Sequence, residues 1–132
     1  MKLQFPTLAS SLLLMALTGA ASAATLPDCD NAGILSRVNN QLAIAEANVV
    51  KSGDPVTSMD HIRHARTQDQ SEPFFARRFC QATGYTDLGH KASIYYLIEA
   101  KAGFAGYGYN VEACILGRDP WRVYGAYCRT LR

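Results

Sequence analysis

The sequence predicts an α+β fold in which one amino-terminal helix packs on a curved antiparallel sheet of four to five strands. The first observation is a change of apolar period, from steps of three and four in residues 30–50 to steps of two beyond them. The second is that short turns join most of the predicted strands, which leaves no room for crossover helices and makes neighbouring strands antiparallel. The third is that the helix is the one element available to cover the apolar face of the sheet.

A single apolar stripe predicts the helix, which runs to about Val50. Asp28 or Asp30 can cap its start, because a carboxylate there accepts hydrogen bonds from free backbone N–H groups. Gly53 and Pro55 are typical of the chain just after a helix end. The residues of the stripe are Ile34, Leu35, Val38, Leu42, Ala45 and Val49.

Five segments after the helix carry strand patterns. The clearest is the third, in which Ile94, Tyr96 and Ile98 lie on one face and β-branched and aromatic residues fit a pleated surface. The first is polar and is expected at an edge of the sheet, and a polar loop over 67–73 follows it. In chain order the predicted strands are Ser58–Arg66, Phe74–Tyr85, Lys91–Ala100, Tyr109–Leu116 and Trp121–Cys128. Asp87–Gly89 and Gly117–Pro120 are predicted turns.

Residues 1–23 have the pattern of a secretory signal peptide. Lys2 supplies a positive charge, and the apolar run from Leu8 to Leu17 precedes Ala21-Ser22-Ala23, a pattern that signal peptidase can cut. The run is about ten residues long, whereas a membrane-spanning helix needs roughly 20. Cleavage after Ala23 would leave residues 24–132 as one domain.

The compartment follows from the signal peptide and from the residue before the first cysteine. A lipid-anchoring sequence has small neutral residues just before its cysteine, and the acidic Asp28 before Cys29 fits that pattern poorly. No second apolar stretch is long enough to span a membrane. We therefore expect an exported protein, periplasmic or secreted, that is soluble once the signal peptide is removed.

The chain has four cysteines, and all of them follow the predicted cleavage site. An even number of cysteines in an exported chain favours disulfides. Four cysteines allow three pairings, among which the sequence does not choose. We favour Cys29–Cys80 with Cys114–Cys128, because the first pair would tie the helix to the sheet and the second would lock a carboxy-terminal hairpin.

Several short segments of the carboxy-terminal half carry a resemblance to other proteins. They are Tyr95–Glu99, Gly103–Gly106, Val111–Cys114, Asp119–Tyr124 and Cys128–Arg129. On these residues the chain resembles small exported bacterial proteins of uncharacterised function, and its element order is similar to cystatin-like helix-on-sheet folds. The Q-x-V-x-G loop of cystatins is absent, so cysteine-protease inhibition is not implied. The resemblance implies a fold and a compartment but no activity.

Two surfaces are candidate binding sites. One is the glycine-rich loop Gly103–Tyr109, which is expected to expose aromatic side chains of the kind that anchor protein interfaces. The other is an arginine-rich face of the sheet, where guanidinium groups could bind carboxylates or phosphates and Trp121 is expected on the opposite, apolar face. The candidate residues are Phe104, Tyr107, Tyr109, Arg118, Arg122 and Tyr124.

These features favour a non-enzymatic binding or accessory protein of the bacterial envelope. One version of this function is an inhibitor of an envelope hydrolase. The partner would be an envelope protein or an anionic envelope component. Nucleic acid is not indicated, because the formal net charge is only +2 at pH 7.

The alternative is a small hydrolase or a metal-dependent enzyme. His61 and His64 could contribute to a metal site, but residues three apart face opposite sides of a strand. Glu99 and Glu112 lie on adjacent predicted strands and could perform acid–base chemistry on a sugar. The sequence has no G-x-S-x-G elbow. It favours a protein with no catalytic site, metal site or cofactor.

Overall fold

A computed structural model of the protein describes residues 26–68, 76–100 and 108–132. Three predicted features lie outside the described residues: the signal peptide 1–23, residues 69–75 with Phe74, and the loop that carries Phe104 and Tyr107. Within the described residues a helix packs on a four-stranded antiparallel sheet, which confirms the α+β fold class. No helix in this part of the chain is long and apolar enough to cross a membrane.

The helix α1 spans Ala32–Ala45, and a π-helical turn, Glu46–Val50, extends it to the predicted end. Lys51 then adopts a left-handed conformation (φ 49°), and its N–H donates to the carbonyl oxygen of Glu46 at 2.9 Å. Turns of the π type are rare and occur frequently at functional sites. The predicted stripe is confirmed, since its buried members are Ile34, Val38 and Leu42.

The helix cap differs from the prediction. Asn31 caps α1, because its Oδ1 accepts hydrogen bonds from the N–H groups of Gly33 at 2.9 Å and Ile34 at 3.3 Å. Asn31 directly precedes the first helical residue, which is where a short polar side chain reaches those groups. Asp28 lies too far upstream for this role and instead forms an ion pair with Arg78.

Four strands form one sheet in chain order, and each pairs antiparallel with the next. The first strand lies at an edge, as its polar sequence predicts, and its register with the second is interrupted three times. The strands are β1 (Val56–Gln68), β2 (Arg77–Thr86), β3 (Lys91–Ala100) and β4 (Tyr109–Ile115). The last strand is therefore the other edge of the sheet.

The predicted fifth strand, Trp121–Cys128, is wrong. The chain forms turns there and then short 3₁₀ turns over Ala126–Leu131, kinked at Tyr127 and Cys128 (φ 57° and 55°). Two hydrogen bonds close the first turn, because the Asp119 carboxylate accepts from the N–H groups of Val123 at 2.9 Å and Tyr124 at 2.8 Å. Residues 116–132, the tail, therefore fold back instead of extending beside β4.

Both faces of the sheet carry buried residues. One face packs against α1 through Ile94, Tyr96 and Ile98. The expectation that only the helix covers the sheet is wrong, because Cys128 and Leu131 of the tail contribute to a second cluster. Its other buried members are Phe79, Leu97 and Cys114.

The predicted cysteine pairing is confirmed. Cys29 is bonded to Cys80, with their Cα atoms 5.8 Å apart, and the Tyr96 hydroxyl donates to the Cys29 carbonyl at 2.8 Å. Burial, and secondarily the charge of Asp30, raises the pKa of Tyr96. Cys114 is bonded to Cys128, but this pair ties the tail to β4 rather than locking a hairpin.

Candidate functional site

A cleft opens between the carboxy-terminal end of α1 and the tail. We call it the helix–tail cleft, and its volume is about 210 Å³. Leu42, Ala45 and Val49 line it on the helical side, and Ile115 lines it from β4. The tail contributes the residues Arg118, Asp119, Pro120, Trp121, Val123 and Tyr124.

Two apolar side chains of the tail are largely exposed to solvent beside the cleft. Trp121 is 72% exposed and Val123 is 66% exposed. The alternating pattern predicts a strand with Trp121 on its buried face, and that prediction is wrong. Exposed apolar surface beside a concave site is typical of binding surfaces. Trp121 is also the only tryptophan of the chain, so its fluorescence reports on this site.

Tyr124 joins the two walls of the cleft. Its half-buried hydroxyl accepts a hydrogen bond from Gln41 Nε2 of α1 at 3.0 Å. Burial raises the pKa of Tyr124, and the charges of Glu112 and Asp119 add to that effect, while the hydrogen bond from Gln41 opposes it. The hydroxyl is therefore neutral at physiological pH and can still donate one hydrogen bond.

Arg118 is held by the loop that follows the helix. Its side chain is only 19% exposed. Nη1 donates to the Asp54 carbonyl at 2.6 Å and to Ser52 Oγ at 3.1 Å, and Nη2 donates to Asp54 Oδ2 at 3.4 Å. These contacts commit the guanidinium to the protein, so Arg118 positions the tail against the loop and is not a free anchor for a ligand.

Two carboxylates lie beside Arg118. Glu46 Oε1 accepts from Ser52 Oγ at 2.7 Å and from the Gly53 N–H at 3.1 Å, while its Oε2 lies 3.9 Å from Arg118 Nη1. Asp54 Oδ2 lies 2.7 Å from His90 Nδ1. Among the described residues, Glu46 Oε2 and Asp54 Oδ1 are buried with no hydrogen-bond partner. Arg118, Glu46, Asp54 and His90 form a charged cluster, and this cluster holds one end of the cleft in place.

The Asp54–His90 pair predicts a defined pH dependence of stability. The hydrogen bond from His90 lowers the pKa of Asp54 below its ordinary value of 3.8, against the opposing effect of burial. A lowered pKa means that ionised Asp54 stabilises the fold above pH 3.8 and that this contribution is lost as the pH falls through the lowered value. We expect Asp54→Asn to be less stable than the wild type at pH 6, and the difference to shrink below pH 3.8 as the pH falls through the lowered pKa of Asp54.

Urea unfolding followed by circular dichroism at several pH values measures this difference. Asp60→Asn is the matched control, because Asp60 is exposed on β1 and has no contact with the cluster. A constant difference between the wild type and Asp54→Asn from neutral to acid pH would contradict the assigned role of the pair.

A second, more open depression adjoins the cleft. We call it the basic depression, and its volume is about 470 Å³. Arg122 and Tyr127 line it from the tail, and both side chains are exposed. Arg118, Asp119 and Pro120 line both the depression and the cleft, so a bound chain could contact the two together.

The six predicted binding residues lie in different places. Arg118 and Tyr124 line the cleft, and Arg122 lines the basic depression. Tyr109 is half-buried, and the guanidinium carbon of Arg37 lies 4.6 Å from the centroid of the Tyr109 ring. Tyr109 is therefore part of the packing on α1. The two remaining residues, Phe104 and Tyr107, lie outside the described residues.

Comparison with known proteins gives no match to this chain. No protein-family model matches the chain, and no curated protein or solved structure matches it. The resemblance to exported bacterial proteins and to cystatin-like folds therefore stays a prediction.

Arginines of β1 and β2, which the arginine-rich face was predicted to include, have separate partners. Arg77 forms an ion pair with Glu99, and Arg63 donates to Gln81. Arg66 lies 3.5 Å from the Phe79 ring centroid and also donates to the carbonyl oxygen of Arg132 at the end of the tail. These guanidinium groups stabilise the sheet and hold the tail, so the structure does not bring them together as one binding face.

The two histidines of the enzyme alternative lie away from the cleft. His61 and His64 are on β1, which is the edge of the sheet opposite β4. His61 Nδ1 lies 3.4 Å from the Tyr85 hydroxyl, whereas His64 Nε2 lies 2.7 Å from Thr67 Oγ1. Within 26–68, 76–100 and 108–132, no three His, Cys, Asp or Glu residues form a group that could hold a metal ion.

Sequence reasoning missed Gln41, Glu46 and the exposure of Trp121. Asp119-Pro120 already lies in the predicted turn Gly117–Pro120, but the structure continues the turns through Tyr124, and this continuation exposes Trp121. The role of Glu46 had no local signal. It depends on Ser52 and Gly53, which approach it only because the π-helical turn ends at Lys51.

Proposed function

We propose that this protein is an exported, non-enzymatic binding or accessory protein of the bacterial envelope, and that it binds a partner through the helix–tail cleft. The observation that carries the proposal is the apolar cleft with Trp121 and Val123 exposed beside it. Covering such side chains with a partner removes apolar area from water, which stabilises a complex by about 25 cal/mol for each Å² buried.

The cleft is held in place before a partner arrives. The Cys114–Cys128 disulfide ties the tail to β4, and Arg118 ties its first residues to the loop after α1. The hydrogen bond from Gln41 to Tyr124 joins the two walls. A site that is already ordered loses less conformational entropy on binding, which favours affinity.

Export is supported by two independent features. The predicted signal peptide would direct the chain out of the cytoplasm. Both disulfides would persist in an oxidising compartment, whereas cytosolic thiols are kept reduced. The periplasm and the extracellular space are both oxidising, and the partner would be an envelope protein or an anionic envelope component.

Inhibition of an envelope hydrolase is one form of this function. The tail would then occupy part of the target, with Trp121 as the main anchor, because tryptophan, tyrosine and arginine dominate binding energy at interfaces. The predicted Gly103–Tyr109 loop would make a second contact. A hydrolase captured by the tail should lose turnover when the protein is added in excess.

Photo-crosslinking in the host envelope tests the proposed function. A benzophenone amino acid replaces Trp121 in one variant and Leu88 in a matched control, since Leu88 is also a large exposed apolar residue (69% exposed) but lies in the β2–β3 turn. We expect a discrete adduct from position 121 and none from position 88. Equal adducts from both positions, or none from position 121, would remove the basis for the cleft as the binding site.

A further inference from the structure

We propose that the occupant of the helix–tail cleft is an acidic segment of a partner protein, in which one aliphatic or aromatic side chain enters the cleft and neighbouring carboxylates pair with Arg122 and Arg129. The inference rests on the proposed function and names the chemistry of its partner. Three properties of the described residues carry it: the size of the cleft, the charge around it and the polarity of its lining.

The cleft has the size of one side chain. Its volume is about 210 Å³. Pockets for drug-sized molecules are larger, at roughly 300–1,000 Å³, whereas an apolar cavity of roughly 150 Å³ already holds benzene. An aromatic ring or a branched aliphatic side chain therefore fills the cleft, while the rest of the partner lies outside against Trp121 and Val123.

The surface beside the cleft carries positive charge that no described residue neutralises. The tail holds four arginines and one acidic residue, Asp119. Arg118 is committed to the loop after α1, but Arg122 and Arg129 are exposed and make no ion pair with any described residue. The Arg129 side chain lies beside Gly125 of the basic depression, within 3.7 Å of where a β-carbon would stand.

Three acidic groups around the cleft are already engaged, and a fourth, Glu112 of β4, accepts a hydrogen bond from Asn110 Nδ2 at 3.4 Å. Asp119 accepts hydrogen bonds from two backbone N–H groups of the tail. Glu46 accepts from Ser52 and Gly53, and Asp54 binds His90 and Arg118. An approaching segment therefore meets two guanidinium groups next to an apolar opening, and neither has an ion-pair partner in the part of the chain that the structure describes. Carboxylates are their natural partners, because arginine pairs with them through two parallel hydrogen bonds.

The lining favours a peptide over an anionic polysaccharide. A sugar ring carries several hydroxyl groups, and each costs free energy when it is buried without a hydrogen bond. Most residues that line the cleft are apolar, among them Leu42, Ala45, Val49, Ile115 and Val123. An apolar side chain needs no hydrogen bonds there, and the acidic residues next to it stay at the exposed arginines.

Peptide selection tests the inference. A phage-displayed library of random peptides is selected on the purified full chain with both disulfides formed. Binding of polygalacturonate, the polysaccharide probe, is compared with binding of the selected peptides. We expect enriched peptides to share one Leu, Ile, Phe or Trp flanked by Asp or Glu. Their binding should shift the emission of Trp121 to shorter wavelength, because a bound chain removes water from the indole.

Two variants separate the apolar and the charged contacts. Ala45→Phe fills the cleft from the helical side, and Arg122→Glu/Arg129→Glu reverses the charge of two exposed residues. Each should weaken binding of the selected peptides by about tenfold or more. Arg63→Glu is the matched control, since Arg63 is an exposed arginine on the distant β1 edge. Its binding should stay within about twofold of the wild type.

The opposite results overturn the inference. The inference fails if basic peptides are enriched. It also fails if the selected peptides bind Ala45→Phe with the same affinity as the wild type, or if polygalacturonate binds more tightly than any peptide. Arg122→Glu/Arg129→Glu keeps the test decisive if Ala45→Phe fails to fold. An adduct from position 121 in the envelope, together with failed peptide binding, would refute the acidic segment and leave the proposed function standing. The absence of both would refute both.

Discussion

The double substitution Cys29→Ala/Cys80→Ala is expected to lower the free energy of unfolding by about 4 kcal/mol. The disulfide closes a sequence separation of 51 residues, so its loss returns a large loop entropy to the unfolded chain. Both half-cystines are buried in the cluster between α1 and the sheet, at 6% and 0% exposure. A small domain has a total stability of roughly 5–15 kcal/mol, so the loss is a large share of it.

The packing around this disulfide increases the effect. The Cys29 carbonyl accepts the hydrogen bond of the buried Tyr96 hydroxyl at 2.8 Å. Arg78 of β2 donates to the carbonyl of Pro27 at 2.7 Å. Without the covalent link, residues 26–30 are held mainly by these polar contacts. A hydroxyl left buried without its partner adds a further cost of about 1–3 kcal/mol.

Urea unfolding under non-reducing conditions measures the loss, with circular dichroism reporting on the whole fold. The wild type in reducing agent should unfold at lower urea than either disulfide variant, because it loses both links. An unchanged midpoint for Cys29→Ala/Cys80→Ala would show that the link contributes little beyond the contacts of Pro27 and Tyr96.

The sequence predicts those parts of the fold whose residues repeat at a fixed period. The stripe of α1 and the alternation in β3 are visible because burial on one face demands apolar residues at fixed steps. Ile34 and Val38 on the helix, and Ile94 and Tyr96 on the strand, are buried as the pattern predicts. The antiparallel order follows from the short turns, since each strand returns beside the one before it.

The tail could not be predicted in the same way. Trp121, Val123 and Tyr127 are nearly alternating apolar residues, which is also how a half-buried strand reads. The turn that exposes Trp121 and Val123 is closed by the Asp119 carboxylate. These are interactions of one particular side chain, and periodicity carries no information about them.

The candidate site depends even more on contacts between distant residues. Arg118 was a candidate for binding because of its charge, but 64 residues of chain separate it from Asp54, whose carbonyl oxygen it binds at 2.6 Å. Only the folded chain brings the two together. Arg122 has the same charge and stays exposed, so its part in the proposed binding surface depends on geometry that residue type alone does not supply.

Removing the second disulfide should release the tail while the sheet stays folded. Cys114 and Cys128 are 14 residues apart, and the link between them stabilises the fold by about 3 kcal/mol on loop entropy. Arg122, Tyr127 and Cys128 adopt left-handed conformations, with φ of 54°, 57° and 55°. A left-handed conformation costs roughly 1–2 kcal/mol for a residue other than glycine. The summed cost at these three residues is comparable to the free energy that the disulfide contributes.

Few buried contacts oppose release of the tail. Of its side chains only Cys128 and Leu131 are fully buried. The main core between α1 and the sheet does not include them, because they belong to the smaller cluster on the other face. We therefore expect Cys114→Ala/Cys128→Ala to lose the helix–tail cleft while α1 keeps its packing on β2 and β3.

Hydrogen exchange measured by mass spectrometry distinguishes this local release from global unfolding. In Cys114→Ala/Cys128→Ala, amides of residues 118–131 should exchange by about tenfold or more faster, while those of β2 and β3 keep their protection. The matched comparison is Cys29→Ala/Cys80→Ala, in which the loss of protection should include the sheet. The adduct from position 121 should disappear in the first variant, because the partner would then meet a disordered tail and no cleft. Unchanged exchange in the tail would mean that Arg118, Tyr124 and Leu131 hold it without the disulfide, and binding should then survive reduction.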